Sequence, residues 1–168
     1  MKPLILGLGN DLLSDDGIGC FAARKLAEEF GGRAQVRQTS CSGLALLDIL
    51  IGCDKAIIID AVQTGRVPPG TIIEFGPHDL RAIPNPSPHY TGLPEMMTLA
   101  RELRLTFPDD IRILAVEAED VHTIGGPLCA PVAAAIDKLV QMVNAYLEQW
   151  EKQARDLPAI AGRSETAG

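Results

Sequence analysis

The chain has 168 residues, 46% hydrophobic and 22% charged, with a formal charge of −7; this size and balance suit a single soluble globular domain with a full core. The acidic balance argues against a phosphate-backbone partner, and aromatic residues at 4% leave little for stacking bases, so no nucleic acid is expected. No apolar run approaches the roughly 18 residues of a membrane span, and the first strand begins too early for a signal peptide, so a cytoplasmic protein with no membrane partner is expected.

Residues 4–8 form an apolar run that reads as the first strand and ends in Gly9-Asn10. A carboxylate pair, Asp15 and Asp16, follows, then a helical pattern over 17–30 with Ile18, Phe21, Ala22, Leu26 and Phe30 on one face. Residues 35–39 predict a short strand and 44–50 a short helix ending before Gly52. Residues 55–60 contain Ala-Ile-Ile-Ile-Asp, a continuous apolar run typical of a central parallel strand buried on both faces. Pro68-Pro69-Gly70 turns into 71–75, whose alternation suggests an edge strand. The proline-rich stretch 76–88 reads as an ordered surface loop. A helix over 92–105, a last strand over 111–116 and a loop through Gly125-Gly126-Pro127 follow. From 131 to about 150 a long amphipathic helix carries Val132, Ile136, Leu139, Val140, Val143 and Leu147 on one face.

This alternation predicts an α/β fold: one three-layer α-β-α domain over residues 1–153, with helices on both faces of a mostly parallel sheet of about five strands. Residues 154–168 are expected to form a disordered tail. Four scattered cysteines, with no Cys-x-x-Cys pair, give neither a structural zinc site nor a disulfide framework and read as isolated apolar thiols.

In such a sheet, ligands bind at the crevice over the carboxyl ends of the strands. A phosphate-binding loop would want glycine and positive charge after the first strand; this loop carries two acids, which suits a cation or proton chemistry. Gly7-Leu-Gly-Asn10 lacks the third glycine of a dinucleotide fingerprint, and Gln38-Thr39 stand where an acid should end the second strand. Gly7 and Gly9 can equally serve close backbone packing and a tight strand exit. Asp15 and Asp16 can also favour the positive end of the following helix by roughly 0.3–1 kcal/mol each, with Ser14 as a candidate cap. Asp60 ends the most apolar strand, so its carboxylate emerges at the centre of the sheet edge, although a turn-forming role is open to it too. His89, in Pro86-Ser-Pro-His-Tyr-Thr-Gly-Leu-Pro94, lies in a stretch stiffened by prolines. Two carboxylates and an imidazole on loops at one edge suit a hard-to-borderline divalent ion. His78 and His122 lack that setting and read as surface histidines.

Three segments together resemble the nickel–iron hydrogenase maturation endopeptidases: Gly7-Leu-Gly-Asn10-Asp-Leu-Leu-Ser-Asp-Asp16-Gly-Ile-Gly19, Ile57-Ile-Ile-Asp60-Ala61 and Ser87-Pro-His89-Tyr-Thr-Gly-Leu-Pro94. Val116-Glu-Ala-Glu-Asp-Val121 and Gly125-Gly-Pro-Leu-Cys-Ala-Pro-Val132 are similar to that family's closing motif, so the resemblance spans about residues 3 to 150. It implies a cytosolic, aspartic-type processing endopeptidase that removes a short C-terminal extension from the precursor of the hydrogenase large subunit, after nickel insertion. It places the family's metal-contacting side chains on Asp16, Asp60 and His89. Asp16 and Asp60 are read as the catalytic carboxylates, either activating water together with a divalent ion or with one of them acting as general base without metal contact. The nickel is presented by the substrate, so no permanent cofactor is expected; a monomer is expected as well. Many relatives carry Glu at the position of Asp16 and an acid at that of Gln38, so no role is carried onto Gln38. Two other readings stand beside it: a non-enzymatic nickel checkpoint for the large subunit, which the same trio would serve, and a small-molecule or nucleotide enzyme on the same sheet, which would need cofactor-binding features the sequence does not show.

Overall fold

The computed structural model describes residues 2–82, 87, 89 and 92–156. Five strands, β1 (Leu4–Leu8), β2 (Gln35–Thr39), β3 (Lys55–Val62), β4 (Ile72–Phe75) and β5 (Asp110–Glu117), form one sheet in the order β2-β1-β3-β5-β4. All neighbours are parallel except β4, which runs antiparallel to β5. The expected edge strand is therefore an edge strand. Four helices alternate with them: α1 (Ile18–Phe30), α2 (Ala45–Leu50), α3 (Leu93–Glu102) and α4 (Ala130–Asp156).

Strand alternation divides the core into two layers. Ile5, Ile57, Ile59, Leu114 and Val116 pack with Ile18 and Leu26 of α1 and with Leu139 and Val143 of α4. Leu4, Leu6, Ile58 and Ile113 face the other way, onto Leu46 and Leu50 of α2 and Leu93 and Met96 of α3. The chain thus passes from β1 outward to β2 and back across to β3, which makes the β1/β3 boundary the switch point of the sheet.

Gly7 and Gly19 let α1 lie directly on β1: a Cβ on Gly7 would fall 2.0 Å from the Gly19 carbonyl oxygen. Gly9, at φ +131°, turns the chain sharply out of the strand, as a residue with a side chain could scarcely do. These glycines serve close packing and the strand exit.

Some boundaries differ from the sequence expectation. Residues 14–17 form a short 3-10 turn before α1, and residues 77–82 form another where a loop was expected. The third helix stops at Glu102, three residues early, because Arg104 adopts a left-handed φ of 53°. The last helix runs to Asp156, past the expected domain boundary at 153. The remainder of the expected tail, and residues 83–86 and 88 of the proline-rich stretch, lie outside the described residues.

Candidate active site at the carboxyl edge of β1 and β3

Asp16 follows β1, and Asp60 lies within β3, two residues before its end and just past the last residue that pairs with β1. Asp60 is fully buried near the end of β3. Its Oδ1 accepts the amide of Ala61 at 2.8 Å, and its Oδ2 lies 3.1 Å from Nδ1 of His89. The imidazole is itself mostly buried, with 13% of its side chain exposed. Facing a carboxylate, Nδ1 carries the proton and Nε2 is left with its lone pair, the tautomer that suits a metal ligand or proton acceptor.

Asp16 occupies the 3-10 turn above them. Its Oδ2 accepts the Asn10 amide at 2.7 Å. Burial pushes its carboxyl above the ordinary aspartate range; the Asn10 hydrogen bond opposes this, the negative charge of Asp60 adds to it, and His89 opposes it. His89 is shifted upward as well, first by its hydrogen bond to Asp60, against the effect of burial, with the charges of Asp60 and Asp16 assisting. The three sequence-singled residues therefore act on one another electrostatically.

Among the described residues, no three His, Cys, Asp or Glu side chains are gathered closely enough to hold a metal ion by themselves. The arrangement is a carboxylate–imidazole pair with a second carboxylate beside it. Asp60 and His89 face each other, which is why the three do not already form a closed cage.

The Asp60–His89 contact has a pH signature. A histidine with a raised pKa stabilises the fold fully below the ordinary value of about 6.5 and loses that contribution as pH rises through its raised value. NMR titration of the isolated protein is expected to place the His89 imidazole above about 6.5 and to show a downward shift in Asp60→Asn. An ordinary, unmoved His89 in both proteins would mean that the pair does not form in solution.

Asp15, expected to share the crevice with Asp16, instead turns into the protein and is fully buried. Its Oδ2 accepts the amides of Glu119 and Asp120 at 2.9 and 3.0 Å, and its Oδ1 that of Cys129 at 2.7 Å. The Asp15 amide donates to the Asp120 carbonyl at 2.8 Å. Ser14 is not a helix cap: its hydroxyl donates to the Pro127 carbonyl at 2.9 Å. The loop after β1 is thereby clamped to the loop after β5. Nothing in the local sequence separates the two acids; the amides of Glu119, Asp120 and Cys129 decide which one turns inward. Glu117 also had no role in the sequence reading. At the end of β5 it is 2% exposed and accepts Thr64 Oγ1 and the Gly65 amide, both at 2.7 Å. It pins the loop that follows the strand carrying Asp60.

The four cysteines are free. The two nearest these loops are held as thiols: burial raises Cys20, and burial with the neighbouring Asp15 carries Cys129 to about 11. Neither supplies a thiolate nucleophile. His78 and His122 are exposed. A groove of about 730 Å³ lies at the opposite, amino end of the sheet, beside Pro3, Lys55 and Trp150, and contains none of the candidate residues.

A buried carboxylate–imidazole pair beside a desolvated carboxylate, at the switch point of a mostly parallel sheet, defines an α/β protein whose site is equipped for proton or cation chemistry. Residues 22–146 match the family model described as hydrogenase maturation protease, and the chain belongs to that family. It is 28% identical over 166 residues to the hydrogenase 2 maturation protease of Escherichia coli K12, covering 95% of this chain and 99% of that one. It is 30% identical over 154 residues to the hydrogenase expression/formation protein HupD of Rhodobacter capsulatus, covering 89% and 72% of the two chains. Among solved structures, the hydrogenase maturating endopeptidase HybD from E. coli is similar, with a TM-score of 0.73 at 27% identity over 89% of this chain and 93% of that one. The [NiFe] hydrogenase maturation protease HybD from Thermococcus kodakarensis gives 0.67 at 28% identity, over 88% and 99%. No helix among the described residues is long and apolar enough to cross a membrane.

Proposed function

We propose that this chain is a cytoplasmic processing endopeptidase that removes the C-terminal extension of a nickel–iron hydrogenase large-subunit precursor once nickel has been inserted. The observation that carries this reading is the buried Asp60–His89 pair beside Asp16 at the switch point, in a chain of the maturation protease family.

The residues divide the work according to their surroundings. Asp60 holds the imidazole by Nδ1 and directs Nε2 toward the incoming substrate. Among the described residues, His89 Nε2 and Asp16 Oδ1 have no hydrogen-bond partner, so these two atoms are the ones available to nickel carried in by the precursor. Nickel presented in this way is part of the substrate, and its own ligands there supply the selectivity that two carboxylates and one imidazole lack. Asp16 is more accessible than Asp60, and its raised pKa brings it closer to the range in which a carboxylate takes a proton from water. We assign Asp16 the contact with the attacking water and Asp60 the positioning of His89.

Incubation of the protein with nickel-loaded precursor is expected to reduce the precursor mass by a C-terminal peptide, while nickel-free precursor stays intact. Binding of the loaded precursor without any mass loss would favour the non-enzymatic checkpoint.

A further inference from the structure

We propose that Leu12 and Ile124, with Leu44 on the same sheet edge, form an apolar rim that grips the polypeptide cut at this site. The inference rests on the endopeptidase reading. Among the described large hydrophobic residues, these three are the most exposed, at 63%, 82% and 71%. All three lie on loops at the carboxyl edge: Leu12 follows β1, Leu44 follows β2 and Ile124 follows β5. A single exposed leucine is ordinary, but bulky apolar side chains concentrated at one edge mark a contact surface.

Leu12 and Ile124 are held out by backbone structure rather than by side-chain packing. The Gly125 amide donates to the Leu12 carbonyl at 2.8 Å, and Leu13 forms an isolated antiparallel bridge with Ile124. The Leu12 amide donates to Asn10 Oδ1 at 3.0 Å, and the amide of that same Asn10 donates to Asp16. The Asp15 clamp fastens both loops together. Leu12, Ile124 and the Asp16 carboxylate are thus parts of one fixed platform. Asp11, next to Leu12, is ion-paired with Arg24, which removes a competing charge. An occupant must reach Asp16 and His89 while offering apolar side chains to the platform. A polypeptide substrate flanking its scissile bond does both.

The test uses the full chain and nickel-loaded large-subunit precursor, with binding and cleavage measured separately. The Leu12→Ser/Ile124→Ser double variant loses little intramolecular packing and should keep its melting temperature. Its precursor Kd and KM are expected to rise about 10-fold or more, with kcat nearly unchanged. Leu103→Ser, also exposed but beyond α3 at the other end of the sheet, should match wild type. Wild-type Kd and KM in the double variant overturn the rim. Wild-type protein that binds precursor without cutting it overturns the endopeptidase reading, while the binding arm still decides the rim. An absence of wild-type binding overturns both.

Discussion

Replacing His89 with Ala is expected to stop precursor processing while leaving the fold standing. The imidazole is mostly buried, and its one described side-chain hydrogen bond is to Asp60. Loss of a positioned proton-transfer or ligand group lowers turnover by about 10²-fold or more, whereas leaving the buried Asp60 without this partner costs about 1–3 kcal/mol of stability, a fraction of what holds a domain together. His89→Asn separates the two duties of the ring. Its amide nitrogen can still donate to Asp60, but nothing replaces Nε2, so it should be as inactive as the alanine variant. Precursor mass and circular dichroism measure the two effects. Wild-type cleavage by His89→Asn would place the function of His89 in holding Asp60 alone. Unfolding of both variants would make the residue structural.

The largest stability effect should come from Asp15. Asp15→Ala strands the amides of Glu119, Asp120 and Cys129 against a buried site. Each unsatisfied donor costs about 1–3 kcal/mol, and incomplete relaxation leaves a loss of about 3–5 kcal/mol. That is a large share of the roughly 5–15 kcal/mol that holds a domain together. Asp15→Asn keeps one acceptor oxygen and should fall between the two. Denaturant unfolding checks the series. A loss below about 1 kcal/mol in Asp15→Ala would mean that water or rearranged carbonyls take over the three amides.

The fold was legible because the strands buried on both faces read as continuous apolar runs and the helices as one-sided stripes. Leu4–Leu8, Ile57–Ile59 and the stripe through Leu139 and Val143 needed no tertiary information. Asp60 was legible in part: a charge after the most apolar run marks the approach to the sheet edge, but β3 continues two residues past it to Val62, so the carboxylate is fully buried rather than emergent. The hidden parts depend on contacts distant in sequence. The division of labour between Asp15 and Asp16 is fixed by amides more than a hundred residues away, so local spacing gave both acids the same meaning. Glu117 was passed over because its partners, Thr64 and Gly65, belong to another loop. The early stop of α3 at Glu102 carries no glycine or proline signal, since Arg104 itself takes the left-handed turn.

The position of β5 has a consequence for biosynthesis. It is the last of the described strands in chain order, yet it lies between β3 and β4. While the ribosome has yet to deliver residues 110–117, β3 has one bare edge and β4 has no partner at all. A nascent chain at that stage exposes an Ile-rich strand edge, the kind of surface that templates aggregation and calls on chaperones. Arrival of β5 closes that edge, and the next dozen residues bring the amides that Asp15 secures. Synthesis therefore completes the site only once residue 129 has emerged, so products truncated before it should be insoluble rather than partly active.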